Sequence, residues 1–220
     1  PRSTLFPYTT LFRSLEQTQI TVYTQIADVS SGSQFIFMRF ENPMSGIWRI
    51  LIRNSLDIRE TFHIWLPVRG FISDETYFLR PDPDTTITDP GNARYPITVT
   101  AYDHTKNSIY IHASRGYSLS GRIKPDLAAP GVNILGASVS GRRLIRMSGT
   151  SVSAAHLAGA AAILLNWGVL NANYPYLNTP VLKSIFVRGA QRNPALTYPN
   201  REYGYGTLDL HEAFLHLRNL

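Results

Sequence analysis

A serine at the start of a predicted helix is the feature of this sequence best suited to chemistry. Ser151 follows Gly149 and Thr150, and the alanine-, glycine- and leucine-rich stretch after it predicts a helix over 150–167 that ends at Gly168. A hydroxyl in the first turn of a helix lies at the positive end of the helix dipole, beside backbone N–H groups that lack partners inside the helix. Those N–H groups can stabilise the oxyanion that forms when the hydroxyl attacks a carbonyl group. Acyl transfer and simple N-capping both fit these residues, and the position alone favours capping.

The elements that must hold this serine are predicted from the pattern around it. The helix carries small residues on several sides, which would let it pack closely against its neighbours: Ala154, Ala155, Ala158, Gly159 and Ala162. Apolar stretches at 95–102, 108–113 and 126–131 predict strands or short buried elements, and two further helices are predicted at 179–188 and 208–217. This alternation predicts an α/β layer in the second part of the chain.

The first part of the chain has a different pattern. Short alternating segments at 19–23, 35–40, 47–52 and 62–66 predict strands, and their spacing is typical of a β-sandwich or jelly roll. A stiff connector with alternating prolines, 80–84, predicts a domain boundary, so that the sandwich covers 15–83 and the α/β part covers 84–220. The sequence of residues 1–14 resembles a translated sequencing adapter, and this stretch is predicted to be a non-native leader.

Composition narrows the possible partners. The 220 residues carry a formal net charge of +6, but the arginines are scattered apart from Arg142, Arg143 and Arg146, so no nucleic-acid partner is predicted. The absence of cysteine excludes disulfides and thiolate metal ligands. None of the six histidines has the spacing typical of a zinc site, and no metal or cofactor is predicted. No apolar run approaches the length of a membrane span, and no membrane partner is predicted.

Four segments in the same order resemble the subtilase family, peptidase S8. They are SGTSVSAAHLAGAAAILL at 148–165, KPDLAAPGVNI at 124–134, YGYGTLD at 203–209, and DPGNA at 89–93 with the strand after it. The resemblance implies the C-terminal half of a subtilisin-like catalytic domain with a three-layer α/β fold over 84–220. The β-rich segment 15–83 resembles, more loosely, the jelly-roll insertion of clostridial subtilases, a group that includes spore germination proteases.

The resemblance also implies residue roles. Ser151 would be the catalytic nucleophile of a serine endopeptidase, with a peptide or protein as substrate, and its backbone N–H would contribute to the oxyanion hole. His156 and Asp126 match structural positions of the family, and the helix places His156 out of reach of the Ser151 hydroxyl. Ser114, Arg115 and Gly116 could line the cleft or simply form a tight loop.

The family's catalytic Asp and His, and its oxyanion asparagine, come before the serine in chain order, so they are expected upstream of this chain. We therefore expect a fragment that lacks the N-terminal half of the catalytic domain and is inactive alone. Without the sheet strands that this half supplies, Leu157, Ile163 and Leu164 are expected to be exposed. By the same resemblance, an extracellular or spore-associated location is favoured over a cytoplasmic one.

Two alternatives stay open at this point. Some relatives in the germination group have lost triad residues, so the protein could be a pseudoprotease with a regulatory or signalling role. A β-sandwich binding module, with the α/β part as scaffold, is the other alternative, and it rests on fold alone.

Overall fold

A computed structural model of the chain describes residues 10–14, 18–25, 34–52, 62–67, 70–139 and 143–218. The chain divides into two compact units, Pro1–Tyr77 and Phe78–Leu220.

The first unit contains a three-stranded antiparallel sheet. Its strands are β1 (Thr10–Ser14), β2 (Thr18–Gln25) and β3 (Phe35–Glu41), with β2 in the centre. The register of the inner pair places Ile20 opposite Phe40. At one end of β2 the buried Thr18 hydroxyl donates to Asn42 O at 3.0 Å and accepts from Met44 N at 2.9 Å, which ties the chain after β3 to the sheet.

Two of the predicted strands are not strands in the structure. Residues 47–52 and 62–66 form no strand, and Ile47 and Leu51 are 73% and 75% exposed. An alternating pattern defines the two faces of a possible strand but supplies no neighbour with which to form hydrogen bonds. The described part of this unit therefore has one sheet, and the jelly roll stays a prediction. Strand β1 pairs with β2 although it lies in the adapter-like stretch 1–14, whose origin also stays a prediction.

The second unit contains a small mixed sheet. Strand β4 (Val99–Asp103) lies in the centre, parallel to β6 (Leu127–Pro130) and antiparallel to the two-residue β5 (Ser108–Ile109). The strands predicted at 95–102 and 108–113 overlap β4 and β5, but the observed strands are shorter, with five and two residues. A separate hairpin follows, formed by β7 (Ile134–Ala137) and β8 (Leu144–Met147).

Three helices complete this unit: α1 (Thr150–Leu165), α2 (Thr179–Arg188) and α3 (Leu210–Arg218). After α1 the chain continues through a π-helical segment, Asn166–Leu170, so α1 ends two residues before the predicted end at 167. A Cβ on Gly168 would lie 2.9 Å from Leu177 Cδ2, so a larger residue here would require the Leu177 side chain to shift. The bounds predicted for α2 are confirmed, but its N-cap is Asn178, whose side chain accepts from Val181 N at 3.2 Å.

The core of the second unit lies where α1, α2 and α3 meet the sheet, and its most buried members are Leu127, Leu157, Ala160, Leu164, Leu182, Ile185, Phe186 and Ala213. Two expectations of exposure are therefore wrong: Leu157 and Leu164 pack against other helices and the sheet within this chain, whereas Ile163 is 52% exposed. The stretch Thr150–Leu170 is long and apolar enough to cross a membrane by length and composition, although its sequence was predicted to be too short for that. Four residues of α1 are buried: Ser153, Leu157, Ala160 and Leu164.

Candidate active site

Ser151 lies in the first turn of α1 and its side chain is exposed. The N-cap of α1 is Gly149, with a φ of 153° that favours glycine, and no side chain caps the helix. The capping role that position alone favoured is therefore wrong for Ser151. Within the described part of the chain its backbone N–H has no hydrogen-bond acceptor, so it is free to bind an oxyanion.

The first turn of α1 is fixed to the carboxyl end of β6 by backbone and side-chain hydrogen bonds. Gly149 N donates to Gly131 O at 2.8 Å, and Gly131 N in turn donates to Tyr102 O at 3.0 Å. The fully buried Ser153 hydroxyl donates to Ala129 O at 2.9 Å. Because Ser151 lies between these anchors, its position follows from that of the sheet.

A cavity of about 430 Å³ lies beside Ser151. One wall is the turn 87–91, another is the segment 96–100 that leads into β4, and a third is the first turn of α1. Its lining also includes Ser114 and Pro125, whereas Arg115 and Gly116 are not part of it. Of the residues predicted at the cleft, the structure therefore brings only Ser114 to it.

A buried ion pair lies behind the 96–98 wall of the cavity. Lys124 and Asp126 are each 1% exposed, and Lys124 Nζ lies 2.8 Å from Asp126 Oδ2. Lys183 of α2 approaches the other oxygen, Oδ1, at 2.5 Å as an ion pair. Burial lowers the pKa of the Lys124 ammonium, and the hydrogen bond and charge of Asp126 oppose that shift.

None of the histidine or carboxylate side chains in the described part of the chain forms a hydrogen bond with Ser151. The His156 Nδ1 atom lies 3.1 Å from Val152 O of its own helix, so that ring is turned to the helix backbone. His104 and His112 are exposed, and Asp126 is committed to its two lysines. A general base for Ser151 is therefore not found among the described residues.

The sequence did not reveal the roles of Lys124 and Ser153. Asp126 is only two residues from Lys124, but the other acceptors are distant along the chain: Pro96 and Thr98 are 28 and 26 residues from Lys124, and Ala129 is 24 residues from Ser153, which no local pattern shows. The signal that could have found Lys124 is a lysine three residues before the apolar strand Leu127–Pro130, since a cation that is buried in a core needs buried acceptors.

Comparison with known proteins gives a consistent result. Residues 79–206 match the model of the subtilase family, peptidase S8. The chain is 42% identical over 96 residues to the C5a peptidase of Streptococcus pyogenes, which covers 43% of this chain and 8% of that protein. It is 33% identical over 106 residues to subtilisin-like protease 1 of Pseudogymnoascus destructans, which covers 48% of this chain and 24% of that one.

Among solved structures, the CspB protease of Clostridium perfringens matches with a TM-score of 0.74 at 26% identity, over 98% of this chain and 46% of that one. The prenylagaramide maturation protease PagA matches with a TM-score of 0.50 at 26% identity, over 62% of this chain and 47% of that one. This chain thus spans less than half the length of each of these proteins. From the family match over 79–206, the fold of the second unit and the Gly-Thr-Ser turn at its helix start, the chain belongs to the subtilase family.

Proposed function

We propose that this protein is part of a serine endopeptidase that cleaves peptide bonds through an acyl-enzyme on Ser151. The observation that carries the proposal is the position of the Ser151 hydroxyl. It is exposed at the uncapped start of α1, beside a cavity and next to a free backbone N–H. The family membership of the chain supports the same chemistry.

The proposed reaction has two steps. A general base takes the proton of the Ser151 hydroxyl while the oxygen attacks the substrate carbonyl, and the negative charge that develops on the carbonyl oxygen is bound by the Ser151 N–H. The tetrahedral species then collapses, the amine leaves with a proton from the base, and the acyl group stays on Ser151. Water, deprotonated by the same base, attacks the ester, and the acid product and free serine result.

The base is the part that the described residues do not supply. We propose that an Asp and a His of a longer polypeptide complete the site, and that the 220-residue chain alone hydrolyses peptides negligibly. Loss of the base alone costs a serine protease of this type roughly a million-fold in rate. A pseudoprotease is the second candidate, because Ser151 has no base partner among the described residues.

The proposal is tested by peptide hydrolysis with a longer polypeptide that includes the sequence encoded upstream. Ser151→Ala is expected to remove hydrolysis by several orders of magnitude, roughly a million-fold at most. The matched control is Ser148→Ala: this exposed serine lies three residues earlier, and its hydroxyl only accepts from Asn133 N at 2.9 Å. The control is expected to keep activity within tenfold.

Hydrolysis that persists in Ser151→Ala would end the assignment of the nucleophile. A folded longer polypeptide that neither hydrolyses peptides nor carries the Asp and His would favour the pseudoprotease.

A further inference from the structure

The Lys124 ammonium is a buried charge in the second unit, and the residue is 1% exposed. Its Nζ donates to three acceptors: Pro96 O at 2.8 Å, Thr98 Oγ1 at 2.9 Å and Asp126 Oδ2 at 2.8 Å. A protonated lysine has three N–H groups and no acceptor, so every donor of Lys124 is used. Two of its three partners, Pro96 and Thr98, line the cavity beside Ser151.

The direction of the next hydrogen bond follows from this. Because an ammonium only donates, the Thr98 hydroxyl must accept from Lys124 with a lone pair. Its own hydrogen is then directed to Gly91 O, which lies 2.6 Å away. We call this series from Lys124 through Thr98 to Gly91 the Lys124 relay.

The relay ends on a wall of the cavity. Residues 87–91 form that wall, and the turn is closely packed on its inner side, where a Cβ on Gly91 would lie 2.9 Å from Thr88 O and 3.3 Å from Thr98 Cγ2. A second hydrogen bond, from Asn92 Nδ2 to Ile87 O at 2.5 Å, closes the turn on itself. The Gly91 carbonyl is thus the point where the turn is fastened to the segment that leads into β4.

We infer that Lys124 is a positioning residue, which through Thr98 fixes the turn 87–91 and so sets how tightly the cavity holds the part of a peptide substrate next to the scissile bond. This inference rests on the proposed function, because only that function identifies the ligand of the cavity as a peptide substrate. Lys124 itself touches neither the substrate nor Ser151, and it acts only through the wall that it holds.

The ion pairs around Asp126 determine which variant tests the relay cleanly. Removal of Lys124 leaves a buried carboxylate with Lys183 as its remaining cation, and breaking one side of a buried pair is strongly destabilising. Thr98→Val keeps the shape of the side chain and both charges. It removes the hydroxyl that links Lys124 to Gly91, and with it one of the three acceptors of Lys124. The matched control is Thr105→Val, since the Thr105 hydroxyl donates to Asp103 Oδ1 in a turn outside the cavity.

The first measurement uses the 220-residue chain and needs no activity. Backbone amide resonances of residues 88, 89 and 91 are expected to shift in Thr98→Val and to stay unchanged in Thr105→Val. Unchanged resonances of this turn in a folded Thr98→Val protein would overturn the relay.

The second measurement uses the longer, hydrolytic polypeptide. Thr98→Val is expected to raise the KM for peptides about two- to tenfold, the range that corresponds to one net hydrogen bond. Its kcat, and its rate of reaction with the small reagent diisopropyl fluorophosphate, are expected to stay within about twofold, because that reagent does not depend on the wall. If kcat and the labelling rate fell by as large a factor as KM rises, the role of Thr98 would be merely structural and the inference would be overturned.

The two proposals fail in different ways. A wild-type longer polypeptide that neither hydrolyses peptides nor reacts with the reagent would count against the proposed function. The amide resonances would still decide whether the Lys124 relay holds the turn.

Discussion

At the scale of single residues, the site depends on positions where a side chain is absent as much as on the hydroxyl. Gly131 lies between β6 and the start of α1, and both its N–H and its carbonyl are used in fixing that start. A Cβ there would lie 2.3 Å from Ser153 Oγ and 2.7 Å from Ala101 Cβ. The absence of a side chain at Gly131 therefore lets the first turn of α1 approach the sheet.

Gly131→Ala is expected to destabilise the 220-residue chain by about 1–3 kcal/mol, the usual cost of overpacking a tight site. Gly159→Ala is the matched control, since a Cβ there meets nothing within 4 Å and alanine favours the helix by up to about 1 kcal/mol. Urea denaturation of both variants gives the comparison. Equal stability of the two variants would show that Gly131 is not needed for the close approach.

At the scale of elements, the sequence correctly predicted those helices whose bounds depend on residues close together in the chain. The bounds of α2 followed from the proline at its start. Helix α1 does lie against the sheet, but through Ser153, Leu157, Ala160 and Leu164. The small residues that were expected to make its close contacts are exposed: Ala154, Ala155, Ala158, Gly159 and Ala162. The Gly-Thr-Ser sequence correctly predicted that Ser151 lies in the first turn of α1. The segments at 47–52 and 62–66 have equally good strand patterns, but among the residues that the structure describes no strand pairs with them. The ends of strands β4 and β5 likewise depend on partners that the pattern does not show.

The turn between β4 and β5 gives a pH-dependent prediction. Asp103 Oδ1 accepts from the Thr105 hydroxyl at 2.7 Å and from Thr105 N at 2.9 Å, and these hydrogen bonds hold the pKa of Asp103 below its ordinary value. Because the folded state favours the ionised form, its contribution to stability is complete above the unfolded pKa, about 3.9, and is lost as pH falls through the lower folded pKa.

Wild type is therefore expected to be more stable than Asp103→Asn at neutral pH, and this difference is expected to shrink as the pH falls below about 4. Asparagine keeps the Oδ1 acceptor and removes only the charge. Thermal unfolding of both proteins between pH 7 and 2.5 provides the measurement. A difference that does not change with pH would contradict the role assigned to this carboxylate.

At the scale of the whole molecule, the second unit has a core of its own and also has the Ser151 hydroxyl on its surface. The core joins three helices to the sheet, while Ser151 and the cavity remain accessible. The Lys124 relay could not be predicted from the sequence because its first link joins Lys124 to Thr98, which are 26 residues apart along the chain. The catalytic base could not be assigned, because the described residues place no histidine or carboxylate against Ser151.

The account depends on Ser151 being the residue that reacts. The most direct measurement treats the longer polypeptide with diisopropyl fluorophosphate and locates the modified residue by peptide mass spectrometry. The account predicts one phosphoryl group per molecule, on Ser151, with hydrolysis lost in proportion to labelling. Complete inactivation with the label on another residue, and Ser151 unmodified, would contradict it.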